Sequence, residues 1–516
     1  MIAALRRRAA SRGSALSAML LTAALLAAGA LAALGGLAAP AHAAPAPILS
    51  IDPDAVTAIE IHKFEQPDQL GAPATGLPQD TTGLTPVPGA TFTAKRVPGI
   101  DLTTQSGQAA AAALTPAAAA PLVAAEPGAA TGTTDGAGNA TLAPLGVGLY
   151  FVDETVTPAG YVDAAPFLVA LPLTNPVQLD RLLTTVHVYP KNAHVTISLD
   201  VVDRDAVTTG DEVAWISRSD IPHTAGLSGY RVVQRIDPRL ELIDSGAHVQ
   251  VRIEAPGTPA PPELVGGTHY TLTVDPATQQ ITVDFLAPGL ALLEQAVHDN
   301  PSAQVRVDYR TTVLDEGELF NEALLYPSRA SIDGDPGSPP PVSATNVTKW
   351  GPIAVRVHER GNPSNLIEGA RFKVYLSAED AMNGTNPIVI DGVDEWATDD
   401  NGMLRISGLR FSGFVDGLDR DTSDPLFRFY YVMPTSFPPG WIGVKEPLAT
   451  TVFSTTEVNL LNVELWRETS GEGGGLPVTG AQMSGAILLG VALLGGGILL
   501  LVRRRRSRNH DEAPAS

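Results

Sequence analysis

Lysine is scarce in this chain, and two of its lysines lie in patterns that indicate chemistry. The 516 residues include only six lysines, namely Lys63, Lys95, Lys191, Lys349, Lys373 and Lys445. Strand alternation from Thr185 to Asn192 places Asn192 on the same face as Val186 and Val188, and Lys191 on the opposite face. Lys191 is therefore expected to be an amine that a partner can reach. An ordinary solvated lysine would show the same pattern.

Lys63 belongs to a second alternating pattern. Ile59, Ile61 and Lys63 share one face of a predicted strand, and Glu60 and His62 share the other. The isoleucines mark the inner face of a half-buried strand. Lys63 is thus expected to point into an apolar core.

Both ends of the chain have the composition of targeting segments. Basic residues, an apolar run and a small-residue site predict a signal peptide over residues 1–43, cleaved between Ala43 and Ala44. Near the other end, residues 481–502 are apolar and long enough to span a bilayer, and the arginine-rich tail 503–516 follows. A Gly-rich spacer and a short motif, which together cover residues 469–480, precede this predicted span. The motif consists of Leu476, Pro477, Val478, Thr479 and Gly480.

Charge and cysteine content exclude some classes of function. The formal net charge is −21, and removal of the two terminal segments takes away nine arginines but only two acids. Such an acidic mature chain argues against nucleic acid as a partner. Cysteine is absent, so a secreted form has no disulfides. We also find no phosphate-binding loop, nucleophilic serine motif or paired catalytic carboxylates, and we expect no enzyme and no cofactor.

Three stretches resemble a known family. Val186, Val188, Tyr189, Pro190 and Lys191 match the pilin motif of sortase-assembled pilins of Gram-positive bacteria, and residues 476–480 resemble the LPXTG sorting signal. The segment 148–161 resembles the E-box of immunoglobulin-like pilin and collagen-adhesin B-type domains. The resemblance implies that a sortase cleaves between Thr479 and Gly480 and joins Thr479 to Lys191 of the next subunit. Leu182 replaces a tryptophan that family members often carry.

The E-box resemblance also implies a crosslink inside the chain. Lys63 on the first strand, Glu154 in the E-box and Asn192 on the last strand match the residues that form an isopeptide bond in such domains. An apolar core lowers the pKa of a lysine and raises that of a glutamate, which favours a neutral amine and a carboxyl that can donate a proton. A plain buried pair of Lys63 and Glu154, with Asn192 in a turn, remains the alternative.

Short strands between Gly/Pro turns predict an all-β chain of tandem immunoglobulin-like β-sandwich domains. We predict a first unit at 44–192, a middle unit at 193–349 and a third at 350–468. Residues 108–130 are expected to form a surface excursion, and residues 349–351 a hinge. An internal repeat is visible, since 368–374 is similar to 88–94 and 398–402 is similar to the turn at Asp135.

The crosslinking residues are replaced in the later units. In the middle unit Leu199 and Gln234 stand near the positions of the lysine and the acid, although Asn321 remains as an acceptor-like residue. In the third unit Val357 and Pro434 stand at the positions of Lys63 and Glu154, and Asn462 is a candidate relic of the acceptor. The acidic loop 416–424 fits no calcium-loop spacing, and His187 and His194 lack a third ligand, so we expect no metal site.

The resemblance implies a structural backbone pilin that is anchored to the cell wall and serves adhesion. Its partners would be a pilin-specific and a housekeeping sortase, other copies of itself, minor pilins, peptidoglycan and a surface or host ligand of unknown identity. A minor subunit at the base or tip, or a monomeric wall-anchored adhesin, remains an alternative.

Overall fold

The computed structural model describes residues 50–67, 74–224, 226–257, 260–455 and 459–468. The first part of this region contains eleven strands and two helices. The strands are β1 (Thr57–His62), β2 (Phe64–Glu65), β3 (Thr91–Arg96), β4 (Gly128–Thr133), β5 (Asn139–Leu145), β6 (Gly148–Val156), β7 (Phe167–Leu171), β8 (Leu173–Thr174), β9 (Leu182–Leu183), β10 (Thr185–Val188) and β11 (Lys191–Asn192). The helices are α1 (Gln105–Ala113) and α2 (Pro116–Val123).

Two sheets form the sandwich of this first unit. One has the strand order β10-β1-β5 and the other the order β4-β3-β6-β7. β1 and β10 run parallel, with Ile61 opposite Val188. The same parallel pairing resumes one residue beyond Lys63, where β2 lies beside β11. Apolar side chains from both sheets fill the space between them, including Ile59, Phe92, Leu142 and Val152.

The alanine-rich stretch of the first unit is ordered secondary structure. Thr104 and Thr115 cap α1 and α2 with their side-chain oxygens. Ala119 and Val123 of α2 pack on Leu149, which lies on the outer face of β6. Most of 108–130 is exposed, as expected for a surface excursion, but the stretch also contains helices, and α2 covers the second apolar face of β6. The stretch ends in β4, which pairs with β3.

The middle part of the chain surrounds the largest core. Its strands are β12 (Ile197–Val202), β13 (Glu212–Asp220), β14 (Arg231–Arg235), β15 (Leu240–Leu242), β16 (Gln250–Glu254), β17 (Tyr270–Val274), β18 (Ile281–Phe285), β19 (Gln304–Val313) and β20 (Gly317–Tyr326). It also contains a 3₁₀ helix (Ile243–Gly246), α3 (Ala287–Asp299) and α4 (Arg329–Asp333). Trp215, Tyr230 and Tyr309 lie in this core, with Leu293 of α3.

The third part repeats the sandwich plan. Its strands are β21 (Val342–Glu359), β22 (Asn362–Leu366), β23 (Arg371–Tyr375), β24 (Trp396–Ala397), β25 (Met403–Arg410), β26 (Phe414–Val415), β27 (Leu418–Asp419), β28 (Tyr430–Ser436), β29 (Trp441–Gly443), β30 (Leu448–Thr450) and β31 (Leu460–Arg467). Its one described helix is α5 (Ala378–Asn383). The described chain is thus an all-β protein, as the sequence predicts.

The internal repeat is confirmed at the level of single hydrogen bonds. In the first unit Thr134 Oγ1 donates to the carbonyl of Val87 and accepts from the N–H of Ala90. In the third unit Thr398 Oγ1 donates to the carbonyl of Ile367 and accepts from the N–H of Ala370. The same threonine therefore fixes the same turn to the same strand in both units.

The strand β21 connects the middle and third parts without interruption. Its first half pairs with β20 and its second half with β25 and β31. Trp350 lies in the middle of this strand, is 0% exposed, and donates its indole N–H to Thr348 Oγ1 at 3.0 Å. The expected hinge at 349–351 is therefore wrong, because the strand ladder continues through these residues. The exact boundaries of the three predicted domains stay a prediction.

Candidate functional site

Lys63 is fully buried at the end of β1. Alternation along the strand directs Ile59, Ile61 and Lys63 inward, and all three are 0% exposed. The Lys63 ammonium lies 5.2 Å from the ring centroid of Phe92, which belongs to the opposite sheet. Phe92 in turn lies opposite Glu154 in the pairing of β3 with β6. The sequence pattern thus placed Lys63 on the correct face.

Lys63, Glu154 and Asn192 meet in this core. Lys63 Nζ donates to Glu154 Oε2 at 2.8 Å and to Asn192 Oδ1 at 2.5 Å. Asn192 Nδ2 donates to Glu154 Oε1 at 2.9 Å. The glutamate therefore contacts both the lysine amine and the asparagine amide nitrogen. A backbone donor, the N–H of Ala164, also reaches Glu154 Oε2 at 2.9 Å.

Burial of this cluster increases the neutral fraction of the Lys63 amine. Burial lowers the pKa of Lys63, because the core solvates an ammonium poorly. The charges of Glu154 and Asp163 act in the opposite direction, and the nearby charge of Lys191 adds to the lowering. A neutral amine has a free electron pair, so the arrangement can support attack on the adjacent amide carbon.

Lys191 lies next to Asn192 but faces the other way. Asn192 is 1% exposed, whereas Lys191 is half-buried, with its ammonium 5.9 Å from the ring centroid of Phe64. Burial against this surface lowers the pKa of Lys191. Strand alternation thus separates two neighbouring side chains, one in the core and one at the surface.

The sequence missed a pair of histidines beside this site. His62 Nε2 and His187 Nδ1 lie 2.9 Å apart, and His62 Nδ1 lies 2.7 Å from Asn139 Oδ1. The ring of Tyr189 stacks on His62, with centroids 4.8 Å apart. His187 is therefore half-buried and paired rather than simply at the surface, whereas His194 is exposed. Only the strand pairing brings residues 62 and 187 together, so no local signal predicts this contact.

The sequence also missed Asp163, which lies near the crosslinking residues. Its carboxylate interacts with the charges of Lys63 and Glu154, and Ser328 of the middle unit lies near it. Burial raises the pKa of Asp163. The only sequence signal for this residue is its position shortly after the E-box.

The middle unit has buried polar residues but no amine at the corresponding place. Leu199 lies in the core, and Gln234 is fully buried and donates to Ser217 Oγ at 2.7 Å. Asn321 is also fully buried and donates to Tyr309 Oη at 3.0 Å. The acceptor-like asparagine thus bonds to a tyrosine in this unit.

The third unit differs more strongly from the first. Val357 is fully buried and lies opposite Val463 on the parallel strand β31. Asn462 precedes Val463, and its exposed side chain accepts a hydrogen bond from Arg356 at 2.9 Å. The interpretation of Asn462 as a relic acceptor is therefore wrong, since Val463 occupies the inward position. Pro434 lies opposite Phe372, as Glu154 lies opposite Phe92.

The acidic loop 416–424 connects two units through protein contacts. Asp416 Oδ1 accepts from the N–H groups of Asp203 and Arg204, and Asp203 Oδ1 accepts from the N–H of Asp416 at 2.8 Å. Asp421 Oδ1 accepts from Ser423. Among the residues that the structure describes, no group of three or more His, Cys, Asp or Glu side chains could hold a metal.

The targeting segments lie outside the described residues. These are the signal peptide with its Ala43–Ala44 site, the sorting signal 476–480, the predicted span 481–502 and the tail. Within the described ranges, no helix has both the length and the hydropathy to cross a bilayer.

Two family models match the chain. Residues 54–193 match the N-terminal D1 domain of Gram-positive pilin subunits, and residues 468–509 match the LPXTG cell wall anchor motif. The first match contains Lys63, Glu154, Lys191 and Asn192.

Similar proteins extend over nearly the whole chain. The chain is 30% identical to fimbrial subunit type 2 of Actinomyces naeslundii, over 90% of this chain and 92% of the relative. It is 29% identical to fimbrial subunit type 1 of Actinomyces viscosus, over 89% and 92%.

Among solved structures, the major pilins SpaD and SpaA of Corynebacterium diphtheriae have a similar fold. SpaD gives a TM-score of 0.60 at 23% identity, over 82% of this chain and 99% of SpaD. SpaA gives 0.59 at 23% identity, over 80% and 100%. The anchor motif and the fimbrial relatives identify a cell-wall-anchored surface protein. The chain belongs to the fimbrial subunits of Gram-positive bacteria, which are the pilins assembled into surface fibres.

Proposed function

We propose that this pilin is the backbone subunit of its fibre, joined to the next copy through Thr479 and Lys191. The observation that carries the proposal is that one chain contains both a sorting-signal carbonyl and a half-exposed pilin-motif lysine. A subunit with both groups can be linked on either side. A terminal subunit needs only one of them.

The linkage is an acyl transfer in two steps. The sortase cysteine attacks the carbonyl carbon of Thr479, the bond to Gly480 breaks, and the Gly480 amine leaves with a proton. The Lys191 amine of the incoming subunit then attacks the thioester. An amide forms, the sortase thiol is released, and the amine proton passes to solvent or to the enzyme.

The surroundings of Lys191 support its role as the attacking amine. Attack requires the neutral amine, and burial beside Phe64 lowers the pKa of Lys191, which increases the neutral fraction. Its neighbours on the chain are also held in place, since β11 pairs with β2 and Asn192 is anchored in the core. The lysine is thus presented from a fixed backbone.

We further propose that Lys63 and Asn192 form an internal isopeptide bond. Lys63 Nζ attacks Cγ of Asn192, and the bond from Cγ to Nδ2 breaks. Glu154 takes the proton from Lys63 and passes it to Nδ2, which leaves as ammonia, so the carboxylate is regenerated. The contacts of Glu154 with both nitrogens, at 2.8 and 2.9 Å, support this path.

The position of the proposed crosslink gives it a mechanical role. It ties the first strand of the first unit to the segment that carries Lys191, through which the neighbouring subunit would pull. The structure of the major pilin SpaA of Corynebacterium diphtheriae points to a modular pilus assembly with stabilizing isopeptide bonds. In this chain the buried ion pair of Lys63 with Glu154 is the alternative reading of the same contacts.

The proposal extends to the partners. A pilin-specific sortase would join the copies and minor pilins, and a housekeeping sortase would attach the finished fibre to peptidoglycan. The subunit itself would act on no substrate other than its own side chains. An adhesive ligand on a host or another surface stays unidentified, since no described pocket has a recognisable chemistry.

Tryptic digestion of cell-wall material followed by tandem mass spectrometry tests both bonds. Trypsin does not cleave after a lysine that has formed an amide. The polymer bond is expected to join the peptide 182–204 to the peptide 468–479, and the internal bond to add the peptide 44–95. Glu154→Gln is the matched control, since it is expected to remove the 44–95 branch and to keep the polymer branch.

The outcomes separate the candidate functions. If 468–479 is found only on peptidoglycan and never on 182–204, the chain is a monomeric adhesin or a basal subunit. If the branch is found at one copy per fibre, the chain is a minor subunit. A branch in most copies establishes the backbone role.

A further inference from the structure

Glu154 of the first unit is oriented in part by a backbone donor that follows the E-box strand. Glu154 Oε2 accepts from Lys63 Nζ and from the backbone N–H of Ala164 at 2.9 Å. Ala164 ends the segment 157–164, which directly follows β6, the strand that carries the E-box residue Glu154. The direction of the Glu154 carboxylate therefore depends on where this segment lies.

The segment 157–164 contacts its own unit through Tyr161, whose hydroxyl donates to Glu65 Oε1 at 2.6 Å, and it also contacts the middle unit. The N–H of Thr157 donates to the carbonyl of Gly337 at 3.2 Å. The N–H of Val162 donates to the carbonyl of Ala193 at 3.0 Å, and the Val162 side chain is 7% exposed within the core of the middle unit. Ser328 of the middle unit lies near the Asp163 carboxylate and lowers its pKa, against the larger effect of burial. Both ends of the segment are thus held by the middle unit, at Thr157 and at Val162.

Gly337 of the middle unit lies directly against the end of the E-box strand. Its φ is +86°, and a Cβ at this position would lie 1.9 Å from the carbonyl oxygen of Thr155. A backbone oxygen cannot move aside as a flexible side chain can. The loop from Ser328 to Gly337 therefore sits directly against the end of β6, with Ser328 itself buried.

We propose that the middle unit completes the crosslinking site of the first unit. Its loop 328–337 holds the segment 157–164 so that the Ala164 N–H orients Glu154 between Lys63 and Asn192. The internal bond then forms after the middle unit has folded and docked, so crosslinking reports a correctly assembled pair of units. Ser328 and Gly337 are positioning residues in this scheme, and the inference rests on the proposed internal isopeptide bond.

The order of events has a physical reason. Acyl transfer between side chains depends steeply on the placement of the proton carrier, and a shift of about 1 Å can slow such a step by about a hundredfold. Without the loop, the segment 157–164 loses its hydrogen bond to Gly337, its contact region near Ser328 and the burial of Val162. Glu154 would then keep Lys63 as a partner but lose the backbone donor that orients it.

Two glycine substitutions in the mature chain 44–475 provide a matched test. Gly337→Ala introduces the clash with Thr155. Gly334→Ala is the control, because Gly334 also has a positive φ, of +69°, but its added Cβ would meet no atom within 4 Å. Intact mass spectrometry follows the loss of one ammonia, about 17 Da, with time after synthesis. Fluorescence of the buried Trp215 and Trp350 follows folding of the middle unit.

The expected result is a loss of ammonia slowed by about tenfold or more in Gly337→Ala, with wild-type kinetics in Gly334→Ala. Ser328→Ala is expected to be slowed as well, and Ser328→Thr, which keeps the hydroxyl, to recover the wild-type rate. Unchanged unfolding midpoints of the middle unit would show that the effect is on positioning and not on folding.

Other outcomes overturn the inference. A wild-type rate in Gly337→Ala, or an equal slowing in Gly334→Ala, contradicts it. If Gly337→Ala does not fold, Ser328→Ala decides, and a wild-type rate there also refutes the docking requirement. If the wild-type chain itself never loses ammonia, the proposed internal bond is wrong, which is a distinct failure.

Discussion

Substitution of Glu154 by glutamine is the sharpest test of the crosslinking site. Glutamine has nearly the same shape, but its amide cannot take a proton from Lys63. We expect the variant to fold with Lys63 and Asn192 unlinked. Its mass should exceed that of the crosslinked wild type by one ammonia, about 17 Da, apart from the change at residue 154 itself.

The stability effect can be worked from the position of the bond. Lys63 and Asn192 are 129 residues apart in sequence. In the chain-entropy treatment of crosslinks, closing a loop of that length removes about 5 kcal/mol of conformational freedom from the unfolded chain at 25 °C. For a unit of this size, such a loss of stability lowers the unfolding midpoint by about 15 °C or more.

The assay is calorimetry of wild type and Glu154→Gln, with intact mass measured on the same samples. Asp153→Asn is the matched control, since Asp153 is the preceding carboxylate on β6, is only half-buried and has no hydrogen bond to Lys63 in the structure. The control should lose ammonia and keep the wild-type midpoint. Ammonia loss at the wild-type rate in Glu154→Gln would refute the proposed role of the carboxylate.

Three further predictions concern other parts of the molecule. Lys191→Arg keeps a cation beside Phe64 but removes the primary amine, so immunoblots of wall extracts should lose the high-mass ladder while ammonia loss continues; a persistent ladder would show that another lysine is used. Trp350→Ala removes a side chain that is 0% exposed and leaves a cavity in the core. The free energy of unfolding by denaturant should fall by about 3–5 kcal/mol, whereas a fall below about 1 kcal/mol would contradict the continuous packing of β21. Burial and the charge of His62 lower the pKa of His187 below its usual 6.5, so the unfolded chain binds more protons than the folded chain as the pH falls. The stability from this neutral histidine is complete above about pH 6.5 and is lost as the pH falls through the lowered folded pKa; unfolding midpoints of His187→Asn should vary less with pH, and an equal slope in both proteins would exclude the pair as the cause.

Some features of the site follow from the sequence because they depend on local periodicity. The alternation of side chains along a strand places Lys63 on the inner face with Ile59. It also places Asn192 on the inner face and Lys191 on the outer face. The turns that begin at Thr134 and Thr398 are visible in the sequence as a repeated motif. Each threonine makes the same hydrogen bonds within its own unit. The family resemblance supplied the pairing of Lys63 with Glu154 and Asn192, which periodicity alone does not give.

Other features were wrong or invisible because they depend on partners distant in sequence. The alanine-rich stretch 108–130 lies at the surface as predicted, but the sequence did not show that α2 packs on the second apolar face of β6. Residues 349–351 looked like a hinge, yet they lie inside β21, a strand of one continuous sheet that runs from the middle unit into the third. Neither outcome can be read from the composition of the stretch itself.

The sequence by itself determined which side chains can do chemistry, that the fold is all-β, and which face of each strand those side chains occupy. Only the tertiary structure decided what surrounds them: the histidine pair of His62 and His187, the carboxylate of Asp163, and the contact of Gly337 with the E-box strand. The physical reason is that alternation is a property of one strand, whereas desolvation and orientation at a buried amine are set by every element packed around it.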